Sequence, residues 1–135
     1  MAPRAGPAGN SNPINKLAQL GVAQMRRLFF EKIVSTTRQR LPDRRLAETF
    51  ELEVGGLCYT ATIGRFADGR VGEIFLSNHR ANSAADTNAR DSAIVCSIAL
   101  QFGADLEVIR RALCRDSHGR ASGPLGAALD IIAGA

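Results

Sequence analysis

The stretch ETFELEVGGLCYTATIGRF, residues 48–66, constrains this chain more than any other. Phe50, Leu52 and Val54 alternate with Glu51 and Glu53, the period-two pattern of a half-buried strand. Gly55-Gly56 follows, and a two-residue loop with positive φ at both positions costs glycine nothing. LCYTATIGRF returns with Tyr59, Ala61 and Ile63 on one face. Asp68-Gly69 marks a second turn, and RVGEIFLS reads as a third strand. Three short strands joined in sequence by tight turns form an antiparallel meander.

Helical periodicity takes over after the polar loop SNHRANSAADTN. Between Ala84 and Phe102, Ala89, Ala93, Cys96 and Leu100 form one stripe. Val95, Ile98, Ala99 and Phe102 widen it, so a largely buried helix is expected, closed by Gly103. Asp105 is placed to cap a second helix in which Leu106, Ile109, Ala112 and Leu113 pack and Arg110 and Arg111 face water. A loop, RDSHGRAS, leads to a third helix with Ser122 as its cap and Pro124 in its first turn. Leu125, Leu129 and Ile132 share a face. The expected fold is α+β: a three-stranded antiparallel meander followed by three helices, with a basic N-terminal helix.

Charge divides the chain. Residues 1–45 hold nine Lys or Arg and two acids, whereas residues 46–135 hold eight and eleven. The overall charge of +4 therefore belongs to an arm attached to a mildly acidic domain. Residues 1–14, rich in Pro, Gly, Ala and Asn, are expected to be disordered. Residues 15–45 are expected to form the basic amphipathic helical arm, with one or two helical segments over 15–39, and residues 46–135 the α+β domain. Met25 opens a stretch that reads more like a native beginning than the segment before it. No apolar run spans a membrane and no secretory signal is visible, so a cytoplasmic location is expected. Three widely spaced cysteines argue against a disulfide framework.

Candidate sites are few. Ser77, Asn78, His79, Arg80, Asn82 and Ser83 join a strand end to a helix start, where free N–H groups and the helix dipole favour an anion such as a phosphate or nucleotide. Arg120 is a second anion-binding candidate. Arg26, Arg27, Lys32, Arg38 and Arg40 on the arm could follow a nucleic-acid backbone or lie against a partner subunit. Cys114 and His118 have the spacing of half a zinc site, but the other half would have to come from Cys58 and His79, which are not a tight pair. A catalytic triad is not recognisable, so no residue is assigned a catalytic role.

GRVGEIFL, residues 69–76, followed by SAIVCSIALQFGADLEVIRRAL and SGPLGAALD, resembles the TSCPD domain over roughly residues 48–132. That small module lies near the C-terminus of adenosylcobalamin-dependent ribonucleotide reductases and also exists alone. The resemblance implies a link to deoxynucleotide metabolism and DNA synthesis, with a larger enzyme or a nucleotide as partner. The family's Ser-Cys-Pro-Asp aligns with Ser122-Gly123-Pro124-Leu125, which keeps the serine and proline and loses the thiol and the carboxylate. The resemblance implies cobalamin only for the full reductase. The expectation here is a non-catalytic accessory or regulatory binding module without a cofactor of its own, free to self-associate. The alternative is a small nucleic-acid-binding protein acting through the arm.

Overall fold

The structure, a computed structural model, describes residues 21–27 and 37–134. The chain divides into two units, residues 1–35 and 36–135. In the first, residues 22–27 are helical, and the N–H groups of Gln24 and Met25 bond to the Gly21 carbonyl. Arg26 and Arg27 are exposed on this turn. The disorder expected for residues 1–14, most of the expected arm helix, and Lys32 lie outside the described residues. Residues 37–39 are described and are not helical, so the arm helix does not reach Arg38.

The second unit holds the meander. Strands β1 (Ala47–Val54), β2 (Leu57–Arg65) and β3 (Val71–Asn78) form one antiparallel sheet in the order β1-β2-β3. Gly55 and Gly56 both take positive φ, 60° and 76°, which twists the hairpin with the right-handed strands. That turn sets Leu52 opposite Tyr59 and Phe50 opposite Ala61. In the second hairpin Ile63 faces Ile74 and Ala61 faces Leu76, so one sheet face becomes continuously apolar.

Three helices follow: α1 (Ala84–Gln101), α2 (Leu106–Ala112) and α3 (Pro124–Ala133). The expected stripe of α1, Ala89, Ala93, Cys96 and Leu100, is buried. Together with Leu125, Ala128 and Leu129 of α3 it covers Leu52, Tyr59, Ala61, Ile63, Ile74 and Leu76 of the sheet. Alanines at the contact let α1 approach closely.

α1 is not buried all round. Ile94, Val95, Ile98 and Phe102 remain 55%, 67%, 39% and 47% exposed. One layer of sheet buries a stripe of about 100°, and no described element lies on the other flank. Ala112 of α2 is likewise exposed, whereas Arg110, expected in water, is mostly covered. The cap of α3 is Gly123, without a side-chain bond, rather than Ser122. Pro124 occupies the first turn as expected.

β3 is an edge strand whose outward backbone groups need partners. α1 supplies them. Ser97 Oγ accepts the Ile74 N–H at 2.8 Å, and Gln101 Nε2 donates to Gly72 O at 3.0 Å. Asp86 Oδ1 accepts the Asn78 N–H at 3.0 Å. Residues ahead of β1 also belong to this unit. Gln39 N–H bonds to Gln101 O at 2.8 Å, Arg38 Nε donates to Gln101 Oε1 at 2.7 Å, and Arg45 pairs with Glu73.

Candidate functional site

The strand-to-helix loop is organised by one carboxylate. Asp86, in the first turn of α1 and buried, accepts the N–H of Asn78 at 3.0 Å and that of Asn82 at 3.3 Å. Ser83 caps α1 by accepting the Asp86 N–H at 3.1 Å, and its own hydroxyl donates to Arg80 O at 2.7 Å. Asn78, also buried, donates to Cys58 O and accepts the Arg80 N–H. Asn82 takes φ of 60°, a left-handed conformation that asparagine tolerates better than most residues.

Of the six loop candidates, Asn78 and Ser83 thus bond within the loop and its neighbouring strand. Ser77, His79, Arg80 and Asn82 keep exposed side chains. His79 Nε2 lies 3.1 Å from Thr60 Oγ1 and 3.8 Å from Glu51 Oε1 on the open sheet face. The Asp86 carboxylate takes up the Asn78 and Asn82 N–H groups, which leaves the exposed side chains of Ser77, His79, Arg80 and Asn82 as the loop's outward groups.

Arg120, the second candidate, lies at a cleft of about 940 Å³ between the β1–β2 hairpin and the α2–α3 region. It pairs with Asp116 at 3.0 Å and is exposed. The more organised charges in the same cleft were not legible as a group. Asp130 of α3 receives two bonds from Arg115, at 2.9 and 2.7 Å, and one from Arg110 at 2.8 Å. Arg110 and Arg111 both donate to Glu107. The two arginines beside Asp130 hold its carboxyl down at about 2, and hydrogen bonds from Arg110 and Arg111 hold Glu107 at about 2 as well. The Glu107 pairings follow helical spacing, but Asp130 is twenty residues from Arg110 and gave no signal.

Cys114 and His118, whose spacing would suit half a zinc site, are both exposed. Among the described residues no group of three or more His, Cys, Asp or Glu side chains could hold a metal ion. Of the arm candidates, Arg26, Arg27 and Arg40 are exposed, and Arg38 bonds to Gln101. No helix among the described residues is long and apolar enough to cross a membrane.

No family profile matches the chain, and no solved structure gives a match. Curated proteins do align with it. The vitamin B12-dependent ribonucleotide reductase of Agrobacterium fabrum is 37% identical over 101 residues, which is 70% of this chain and 8% of that protein. The enzyme of the same name from Bradyrhizobium diazoefficiens is 34% identical over 68% of this chain and 7% of its own length. That of Rhodopirellula baltica is 36% identical over 58% of this chain and 8% of its own length. The chain therefore spans less than a tenth of the relatives it matches, and it is related to one small segment of them.

Proposed function

We propose that this chain is a TSCPD-type accessory domain of deoxynucleotide metabolism, a regulatory or binding module with no catalysis of its own. The observation that carries the reading is the match of about 70% of the chain to 8% of a vitamin B12-dependent ribonucleotide reductase. In such an enzyme the segment is a small part of a much larger protein, and its partner is the remainder. The corresponding partner of this chain is a larger enzyme of nucleotide metabolism, met in the cytoplasm.

The SGPL segment supports a module that keeps the scaffold and gives up chemistry. Gly123 has φ of −129°, which any residue adopts, and a Cβ there would meet nothing within 4 Å. The backbone therefore does not demand glycine, and the thiol of the TSCPD motif is absent without steric cause.

The cofactor in the relatives' name is stated of those proteins, of which this chain matches 7–8%. We assign no cofactor to this chain. Ser77, His79, Arg80 and Asn82 remain the proposed contacts for a partner's phosphate or for a nucleotide.

The test is affinity capture of the full chain from its own cells followed by mass spectrometry, with recovery of such an enzyme expected. A second reading, nucleic-acid binding through Arg26, Arg27 and Arg40, rests on the exposure of these residues. It requires affinity for DNA or RNA that falls steeply with salt.

A further inference from the structure

A second cavity, of about 390 Å³, lies between the first half of α1 and the segment running from Leu113 to Gly126. Ala85, Ala89, Leu113, Pro124 and Leu125 supply apolar walls, and no charged residue lines it. Tyr59 reaches it from the core face of β2 and is only 4% exposed. Every sealed side-chain nitrogen or oxygen among the described residues has a hydrogen-bond partner. The Tyr59 hydroxyl has none among them, so it meets open space, and this cavity is an opening that Tyr59 lines.

A second set of polar groups also lines the cavity. α3 starts at Pro124 with no side-chain cap, and the first N–H groups of a helix have no intrahelical acceptor. Leu125 and Gly126, whose N–H groups these are, both line the cavity. Asn88, also lining it, offers a carboxamide with no hydrogen bond to the described residues. Gly123 lines the cavity without a side chain, and a Cβ there would meet no atom within 4 Å.

We infer that this cavity is a binding site for a small, uncharged molecule bearing a carbonyl group. The carbonyl oxygen accepts from the Tyr59 hydroxyl, with the N–H groups opening α3 beside it, and the apolar body packs against Leu113, Pro124 and Leu125. A net charge is disfavoured, since no lining side chain would pair with it after its water is removed. The site is separate from the 77–83 loop and from the cleft at Arg120, and it does not depend on the accessory role proposed above.

The test uses purified full chain and four neutral probes, benzamide, nicotinamide, uracil and cytosine, with benzoate and benzylamine as charged counterparts. Ligand-observed NMR reads binding. The site predicts saturable binding of at least one neutral probe below about 10 mM, with the charged pair at least tenfold weaker. Tyr59→Phe should weaken that probe about three- to tenfold while leaving the thermal midpoint unchanged, because the hydroxyl bonds to nothing in the protein. Gly123→Leu, which enters without backbone strain, should fill the cavity and abolish binding. Absence of binding by all four neutral probes would overturn the inference. So would benzoate or benzylamine binding as well as benzamide, or a Tyr59→Phe variant that binds normally.

Discussion

Replacing Asp130 with asparagine should destabilise the domain by about 1–2 kcal/mol at pH 7, and by almost nothing near pH 2. Asp130 accepts two bonds from Arg115 and one from Arg110, across side chains 20%, 25% and 18% exposed. Hydrogen bonds from Arg115 are the main reason its carboxyl drops from the ordinary 3.8 to about 2. That depression corresponds to about 2.5 kcal/mol at full strength. Solvent screening of a partly exposed cluster reduces it to the figure above. The folded pKa lies below the unfolded one, so the contribution is complete above about pH 5. It fades as the pH falls through 4 towards 2. Urea denaturation of the wild type and Asp130→Asn at pH 7, 5, 4 and 3 measures it. A double-mutant cycle with Arg115→Gln at pH 7 isolates the pair and should show a coupling of about 1 kcal/mol that shrinks with salt. A loss that stays constant from pH 7 to 3, or a coupling of zero, would refute the reasoning.

Three further outcomes follow from packing and exposure. Leu129→Ala, at a fully buried position, should cost about 3–4 kcal/mol in urea unfolding, and a loss under 1 kcal/mol would contradict the core assignment. Ser97→Ala should cost about 1–2 kcal/mol, because it strips the Ile74 N–H of its acceptor at the sheet edge. The same variant should aggregate sooner than wild type in light scattering. In thiol titration at pH 8, Cys58 and Cys114 should react at once in the native protein. Cys96, buried and with its thiol pushed up to about 11, should react only after denaturation.

The strands were legible because each carries its own instruction: the Phe50-Leu52-Val54 alternation, the Gly55-Gly56 turn and the Tyr59-Ala61-Ile63 return all agree. The buried stripe of α1 was equally plain. Its width was not, since a sequence shows which helix positions are apolar but not how many layers will cover them. Ile94 and Val95 are apolar and exposed for that reason. Caps divide in the same way. Asp105 caps as its position suggests, whereas Ser122 yields to Gly123 because the chain enters α3 one residue later.

Site chemistry was the least legible part. The 77–83 loop could be recognised as polar, but the inward turn of Asn78 and the role of Asp86 depend on tertiary contacts. Tyr59 read only as a core residue of β2. Its unpartnered hydroxyl becomes visible once α1 and α3 are set around it.

Capture of the full chain at its native level, after brief chemical crosslinking and nuclease treatment, tests the accessory reading most directly. The account predicts stoichiometric recovery of a larger enzyme of nucleotide metabolism, with crosslinks mapping to the segment between residues 46 and 134. Recovery of the chain alone, or of a complex that disappears when nucleic acid is digested, would contradict it.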